Sequence, residues 1–133
     1  MRGEALRWLS EARWDLETAR FLHEAERFNA ACFYAHQSAE KAAKALLYSV
    51  NEAPWGHSVR VLLERYFCRM GERVEELLHH ARVLDRHYIP SRYPSAHPSG
   101  TAYEAYSAMD SSEAIRMAER VLEYASGRLE SGG

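Results

Sequence analysis

Ala31-Cys32-Phe33-Tyr34-Ala35-His36-Gln37-Ser38-Ala39-Glu40-Lys41-Ala42-Ala43-Lys44-Ala45-Leu46-Leu47 repeats its smallest side chain at positions 31, 35, 39 and 42. That helical spacing lets a neighbouring backbone come close. Asn29 is a suitable N-cap, so the stretch predicts a helix from Ala30 to about Val50. Upstream, Leu6, Leu9, Ala12, Leu16, Ala19 and Leu22 form an apolar stripe on a helix running from about Glu4 to His23. Trp8, Trp14 and Phe21 lie off that stripe and give the same helix a second apolar face. Two apolar faces imply either a second subunit or a central place inside the chain's own bundle.

Downstream, His57 and Ser58 open a short helix that ends near Phe67. After Gly71, the residues Val74, Leu77, Leu78, Ala81, Leu84 and Tyr88 make one stripe of a fourth helix. Asp110 and Glu113 have the spacing of a capping box for a last helix, with Ile115, Ala118, Leu122 and Ala125 facing one way. Gly127 and the tail Ser131-Gly132-Gly133 predict fraying of that helix. No stretch alternates with period two for long enough to form a strand. The expected fold is all-α: an up-and-down helical bundle with four long helices and one short helix. A single domain is expected over 1–133, with 1–3 and 128–133 as loose tails.

A hydrophobic fraction of 47% and a charged fraction of 27% belong to a globular chain that can bury a real core. No apolar run approaches a membrane helix and no signal-peptide core is present, so a cytoplasmic location with no membrane association is expected. Net charge is −2, which excludes a general basic field for nucleic acid but not a local arginine site. Cys32 and Cys68 stand apart in apolar helical contexts and read as small buried hydrophobes.

Function is sought first in Tyr88-Ile89-Pro90-Ser91-Arg92-Tyr93-Pro94-Ser95-Ala96-His97-Pro98. Its three prolines fix φ, remove N–H donors and exclude a continuous helix. Long loops that carry chemically loaded residues are more often functional than mere connectors. Arg92 has the chemistry to bind phosphate bidentately, and His97 that of a general acid or base. Together they could support metal-independent RNA cleavage, although loop residues of these types also commonly anchor backbone. On the helix, Gln37, Lys41 and Lys44 can share one side, and Glu40 precedes Lys44 by four residues in the favourable order for an ion pair. A solvated charged face is the simpler reading of that spacing. Glu76-Leu77-Leu78-His79 matches the Glu-x-x-His of di-iron bundles, but the second copy which that chemistry needs is missing. His36 and Glu40 lack further ligands. Neither a metal nor a cofactor is expected.

The helix Ala31–Leu46, the segment His57-Ser58-Val59, the run Leu84-Asp85-Arg86-His87-Tyr88-Ile89-Pro90-Ser91-Arg92-Tyr93-Pro94 and a late alanine-rich helix together resemble the HEPN family. The name stands for higher eukaryotes and prokaryotes nucleotide-binding domain, and the likeness is to its Arg-Tyr-Pro-containing prokaryotic branch. The resemblance spans nearly the whole chain. It implies a helical bundle that forms homodimers and often works beside a minimal nucleotidyltransferase in a toxin–antitoxin-like pair. Other members are ribonucleases with an Arg-x4-6-His motif, a spacing that Arg92 and His97 meet. Nuclease members usually follow the arginine with a polar residue, where this chain has Tyr93. The candidate ligand-binding or interface set is therefore Arg92, Tyr93, Tyr88, Gln37, Glu40, Lys41, Lys44 and His57, with His97 and Arg92 as the candidate catalytic pair. Three functions stay open: a module binding a nucleotide, an RNA phosphate or the partner nucleotidyltransferase; a metal-independent endoribonuclease; and a structural oligomerisation domain.

Overall fold

The computed structural model describes residues 2–130. Helices α1 (Arg2–Glu24), α2 (Phe28–Ser49), α3 (Val59–Met70), α4 (Glu75–Asp85) and α5 (Ala108–Glu130) are joined by turns, with short 3-10 turns at Pro94–Ala96 and Tyr103–Ala105. There is no strand among the described residues, and no helix among them is long and apolar enough to cross a membrane. The all-α bundle is therefore as expected.

Helix α2 is central, packed against α1, α3, α4 and α5. Its alanines make this possible: Ala31, Ala35, Ala39, Ala42, Ala43 and Ala45 are all fully buried. Ser38 adds a direct tie to α1, donating its hydroxyl to the Ala12 carbonyl at 2.7 Å. Leu9, Leu46, Leu62, Leu78, Leu84 and Val121 fill the remaining core.

Several boundaries differ from the sequence reading. Helix α4 ends at Asp85, so the described residues form three helices of 22–23 residues and two of 11–12, where four long and one short were expected. Beyond Asp85 the backbone tightens, with Arg86, His87 and Tyr88 amides bonding the carbonyls three residues back. Such i→i−3 closure and the approach of Pro90 turn the chain out of the helical path. Helix α2 starts at Phe28 with Arg27 as its N-cap residue, and Asn29 lies inside it. The capping box of α5 sits one turn earlier than expected. The Ser107 amide bonds the Asp110 carboxylate at 2.9 Å, and the Asp110 amide meets the Ser107 hydroxyl at 3.4 Å.

At the chain ends, Arg2 and Gly3 belong to α1, and α5 runs through Gly127 to Glu130. Its last turn is held by buried Leu129, by Arg128 on Glu72 and by Arg13 on Glu130. The expected fraying of Ser131-Gly132-Gly133 lies outside the described residues, as does Met1. Cys32 is buried as expected, and burial together with the Asp110 charge pushes its thiol up to about 12. Cys68 is exposed instead, because it falls on the outer face of α3. Trp8 packs against the core and meets the Tyr48 ring at 5.7 Å, whereas Trp14 and Phe21 are 66% and 75% exposed, so the chain's own bundle covers only part of the second apolar face of α1.

Leu46 sits fully buried in the central helix. Leu46→Ala should lower unfolding stability by about 2–5 kcal/mol in urea titrations, the range for a leucine cavity. A smaller loss would mean that the neighbouring helices collapse into the gap.

Candidate functional site

The site grows from the end of α4. Asp85 there accepts four hydrogen bonds: from His36 Nε2 at 3.0 Å, the Ser58 hydroxyl at 2.8 Å, the Val59 amide at 2.8 Å and the Arg60 amide at 3.2 Å. Ser58 also caps α3, accepting from the Val61 amide at 3.1 Å. One carboxylate thus joins α2, the start of α3 and the end of α4. Burial alone would raise the Asp85 pKa. The bonds from His36, the Val59 amide, Ser58 and the Arg60 amide outweigh it and hold the carboxyl below its ordinary value.

Three residues on, Tyr88 is fixed among rings. His57 stacks on it at 5.0 Å with an interplanar angle of 17°, His36 lies at 5.2 Å, and Phe33 at 6.2 Å. The chain then turns through Ser91, which is fully buried. Its hydroxyl donates to the His87 carbonyl at 2.5 Å, and its own carbonyl accepts from the Asn29 amide side chain at 3.0 Å. Asn29 therefore holds the loop instead of capping the helix.

That anchoring aims Arg92. Its guanidinium lies 4.5 Å from the Phe33 ring centroid, 4.6 Å from Tyr88 and 5.1 Å from Tyr93. Its Nε donates to the Tyr88 carbonyl at 2.8 Å, the one hydrogen bond of the side chain among the described residues. Aromatic faces thus hold the guanidinium while Nη1 and Nη2 make no hydrogen bond among the described residues. A cation so presented suits bidentate recognition of phosphate or carboxylate.

Around it, Glu40 is buried and holds Lys44 Nζ at 3.0 Å and His57 Nδ1 at 3.3 Å through Oε2. Its Oε1 lies 4.0 Å from His36 Nδ1 and has no hydrogen-bond partner among the described residues. Gln37 meets His36 Nδ1 through its side-chain oxygen at 3.3 Å. His57 is 59% exposed and forms the solvent side of the cluster.

Arg92, Tyr88, Tyr93, His57, Glu40, Gln37 and Lys44 therefore lie in one connected region. Lys41 departs from it, pairing with buried Asp15 of α1 at 2.7 Å. His97 also faces elsewhere. Its Nε2 donates to the Pro90 carbonyl at 2.7 Å, and its ring meets Tyr106 edge-on at 6.4 Å. The Tyr106 hydroxyl bonds His87 Nδ1 at 2.9 Å. Burial lowers the His87 pKa and raises that of Tyr106, which favours the neutral form of both partners.

Sequence reasoning missed Phe33 and the structural weight of His36 and Asp85. A histidine four residues before Glu40 was visible, but its partner is 49 residues away. Among the described residues no group of three His, Cys, Asp or Glu side chains could hold a metal ion.

A family model for the HEPN domain matches residues 5–129. The chain belongs to the HEPN family. A crystal structure of TT1696 from Thermus thermophilus is similar at 36% identity and a TM-score of 0.90, over 94% of this chain and 98% of that one. ST0689, described as an archaeal HEPN homologue, matches at 35% identity and 0.81, covering 96% and 98%. A HEPN domain protein from Thermotoga maritima, TM0613, matches at 32% and 0.75, covering 92% and 97%. No curated protein matches the chain.

The linkage of Asp85 has a definite sign. Its folded pKa lies below the ordinary value near 3.8, so its contribution is present above that value and lost as pH falls through the lower folded-state pKa. Near neutral pH, Asp85→Asn should cost about 1–3 kcal/mol, the usual penalty for disrupting hydrogen bonds shielded from water. In urea titrations the gap to wild type should close as pH falls below the folded-state pKa. A gap that is independent of pH would contradict the role assigned to the carboxylate.

Proposed function

We propose that this HEPN domain is a binding module that takes the phosphate of a nucleotide or of RNA on Arg92. The observation that carries the reading is the arrangement of that side chain. Three aromatic rings hold the guanidinium, one backbone carbonyl engages Nε, and Nη1 and Nη2 keep their donors. An arginine with a purely structural task would spend those donors on its own chain. Tyr93, 47% exposed, and His57 flank the guanidinium's neighbourhood as surfaces on which a base can stack.

Binding is preferred over cleavage because His97 is bonded to the Pro90 carbonyl and makes no contact with Arg92 among the described interactions. The likeness to HEPN proteins supports two further parts of the reading: action as a homodimer, and pairing with a minimal nucleotidyltransferase in a toxin–antitoxin-like system. Trp14 and Phe21, seven residues apart on α1 and both exposed, form an apolar ridge suited to a second copy.

Calorimetric titration with nucleotides and with short RNA tests the first claim. Arg92→Ala should weaken binding at least about tenfold, a loss of about 1.4 kcal/mol or more, whereas His97→Ala should bind as wild type. Equal affinity of wild type and Arg92→Ala sinks the proposal, and RNA cleavage in EDTA that disappears in His97→Ala would favour the nuclease. For the dimer, sedimentation should show two copies in the wild type and one in Trp14→Glu/Phe21→Glu. An unchanged mass in that variant would move the interface elsewhere.

A further inference from the structure

A second cationic site adjoins the first. Between the start of α3 and the end of α4 lies a groove of about 460 Å³, lined chiefly by His57, Arg60, Arg82, Asp85, Arg86 and Tyr88. Three arginines therefore face one carboxylate. That carboxylate is fully engaged, since Asp85 accepts from His36, Ser58 and the amides of Val59 and Arg60. Arg60 is paired with Glu64 one turn along α3. Arg82 and Arg86 are exposed, four residues apart, and have no acidic partner among the described interactions. Two arginines that line a groove with no ion-pair partner of their own can offer their donors to an anion, although the Asp85 charge opposes it in part.

Tyr88 connects this groove to the caged arginine. It lines the groove beside His57, and its ring also lies 4.6 Å from the Arg92 guanidinium. Arg92 itself is not among the groove's lining residues. Two separate sets of phosphate-binding donors are thus joined by an aromatic platform. A nucleoside polyphosphate concentrates its charge at one point and would satisfy one set. A single strand spaces its phosphates along a backbone and exposes bases between them for stacking.

We propose that the Arg82–Arg86 groove is a second phosphate subsite, and that the ligand is a single-stranded oligonucleotide whose backbone runs from Arg92 past Tyr88 and His57 to Arg82 and Arg86. The proposal rests on the Arg92 reading and extends it. Each subsite arginine that neutralises a phosphate releases condensed counterions, so it contributes to the salt dependence of binding.

Fluorescence anisotropy with a labelled oligouridylate of eight nucleotides reads that dependence, and ATP in a calorimeter serves as the single-point ligand. The comparison uses wild type, Arg82→Gln/Arg86→Gln, Arg92→Ala and a control of equal charge change, Arg7→Gln/Arg116→Gln. All four paired-variant positions are exposed, so the fold should persist. The groove variant should lose about 1.4 from the slope of log K against log salt, at about 0.7 per phosphate on a single strand. Wild-type affinity should then fall about sevenfold more than that of the variant between about 50 and about 200 mM salt. The control pair should keep the wild-type slope, and ATP binding should be lost only in Arg92→Ala.

Equal slopes for wild type and groove variant overturn the second subsite. ATP binding that depends on Arg92, with no oligonucleotide binding, also overturns it while leaving the Arg92 reading intact. Absence of binding by either ligand overturns both.

Discussion

The Asp85 carboxylate is the constraint on which the rest of the site depends. It replaces the missing intrahelical partners of two amides at the start of α3, fixes the ring of buried His36, and stands at the point where α4 gives way to the loop. A helix N-terminus packed against other helices needs acceptors, and a half-buried carboxylate needs donors. Here each requirement answers the other. Because His36 is held on α2 and Tyr88 follows Asp85 by three residues, the same bonds set where Tyr88 packs and hence where Arg92 finds its ring.

Glu40 forms a contrast within the same few residues. Asp85 has both oxygens filled, whereas Glu40 uses one for Lys44 and His57 and leaves the other without a donor. A half-satisfied buried carboxylate is costly, since desolvation falls on both oxygens while pairing offsets it through one. The two groups therefore differ in kind. Asp85 is a joint of the fold with both oxygens engaged; Glu40 is held through one oxygen by Lys44 and by the exposed His57 that also contacts Tyr88.

What was legible in the sequence follows the range of each interaction. The alanine recurrence of α2 and the leucine stripe of α1 are local periodicities, and they led directly to an all-α bundle. The proline-rich loop was also legible, because proline acts on its own backbone and that of the residue before it. Element ends were less so. Asn29 has the chemistry of a cap, yet its amide bonds Ser91, which lies 62 residues away. Ser107 and Asp110 displaced Asp110 and Glu113 because the same capping spacing occurs twice in succession. Arg92 was recognisable from its neighbours, but Phe33 in its cage belongs to another helix, and nothing in the local pattern marks a ring that will meet a cation. Lys41 shows the same limit from the other side: it stands three residues from Lys44, yet it pairs with Asp15 on α1.

The cage also separates the roles of Arg92 and His97, which share a loop and a familiar spacing. A guanidinium is flat, so rings can cover its faces and fix its direction while its edge N–H groups stay free. Contacts that hold it in place therefore leave its function intact. An imidazole has only two ring nitrogens, and a hydrogen bond that fixes one of them removes half of its proton chemistry. His97 spends Nε2 on the Pro90 carbonyl, a bond that closes the loop on itself. The same loop thus leaves both Nη groups of its arginine, but only one ring nitrogen of its histidine, open to other partners. This asymmetry, more than the spacing of the two residues, is what supports the proposal that the loop offers Arg92 to a phosphate.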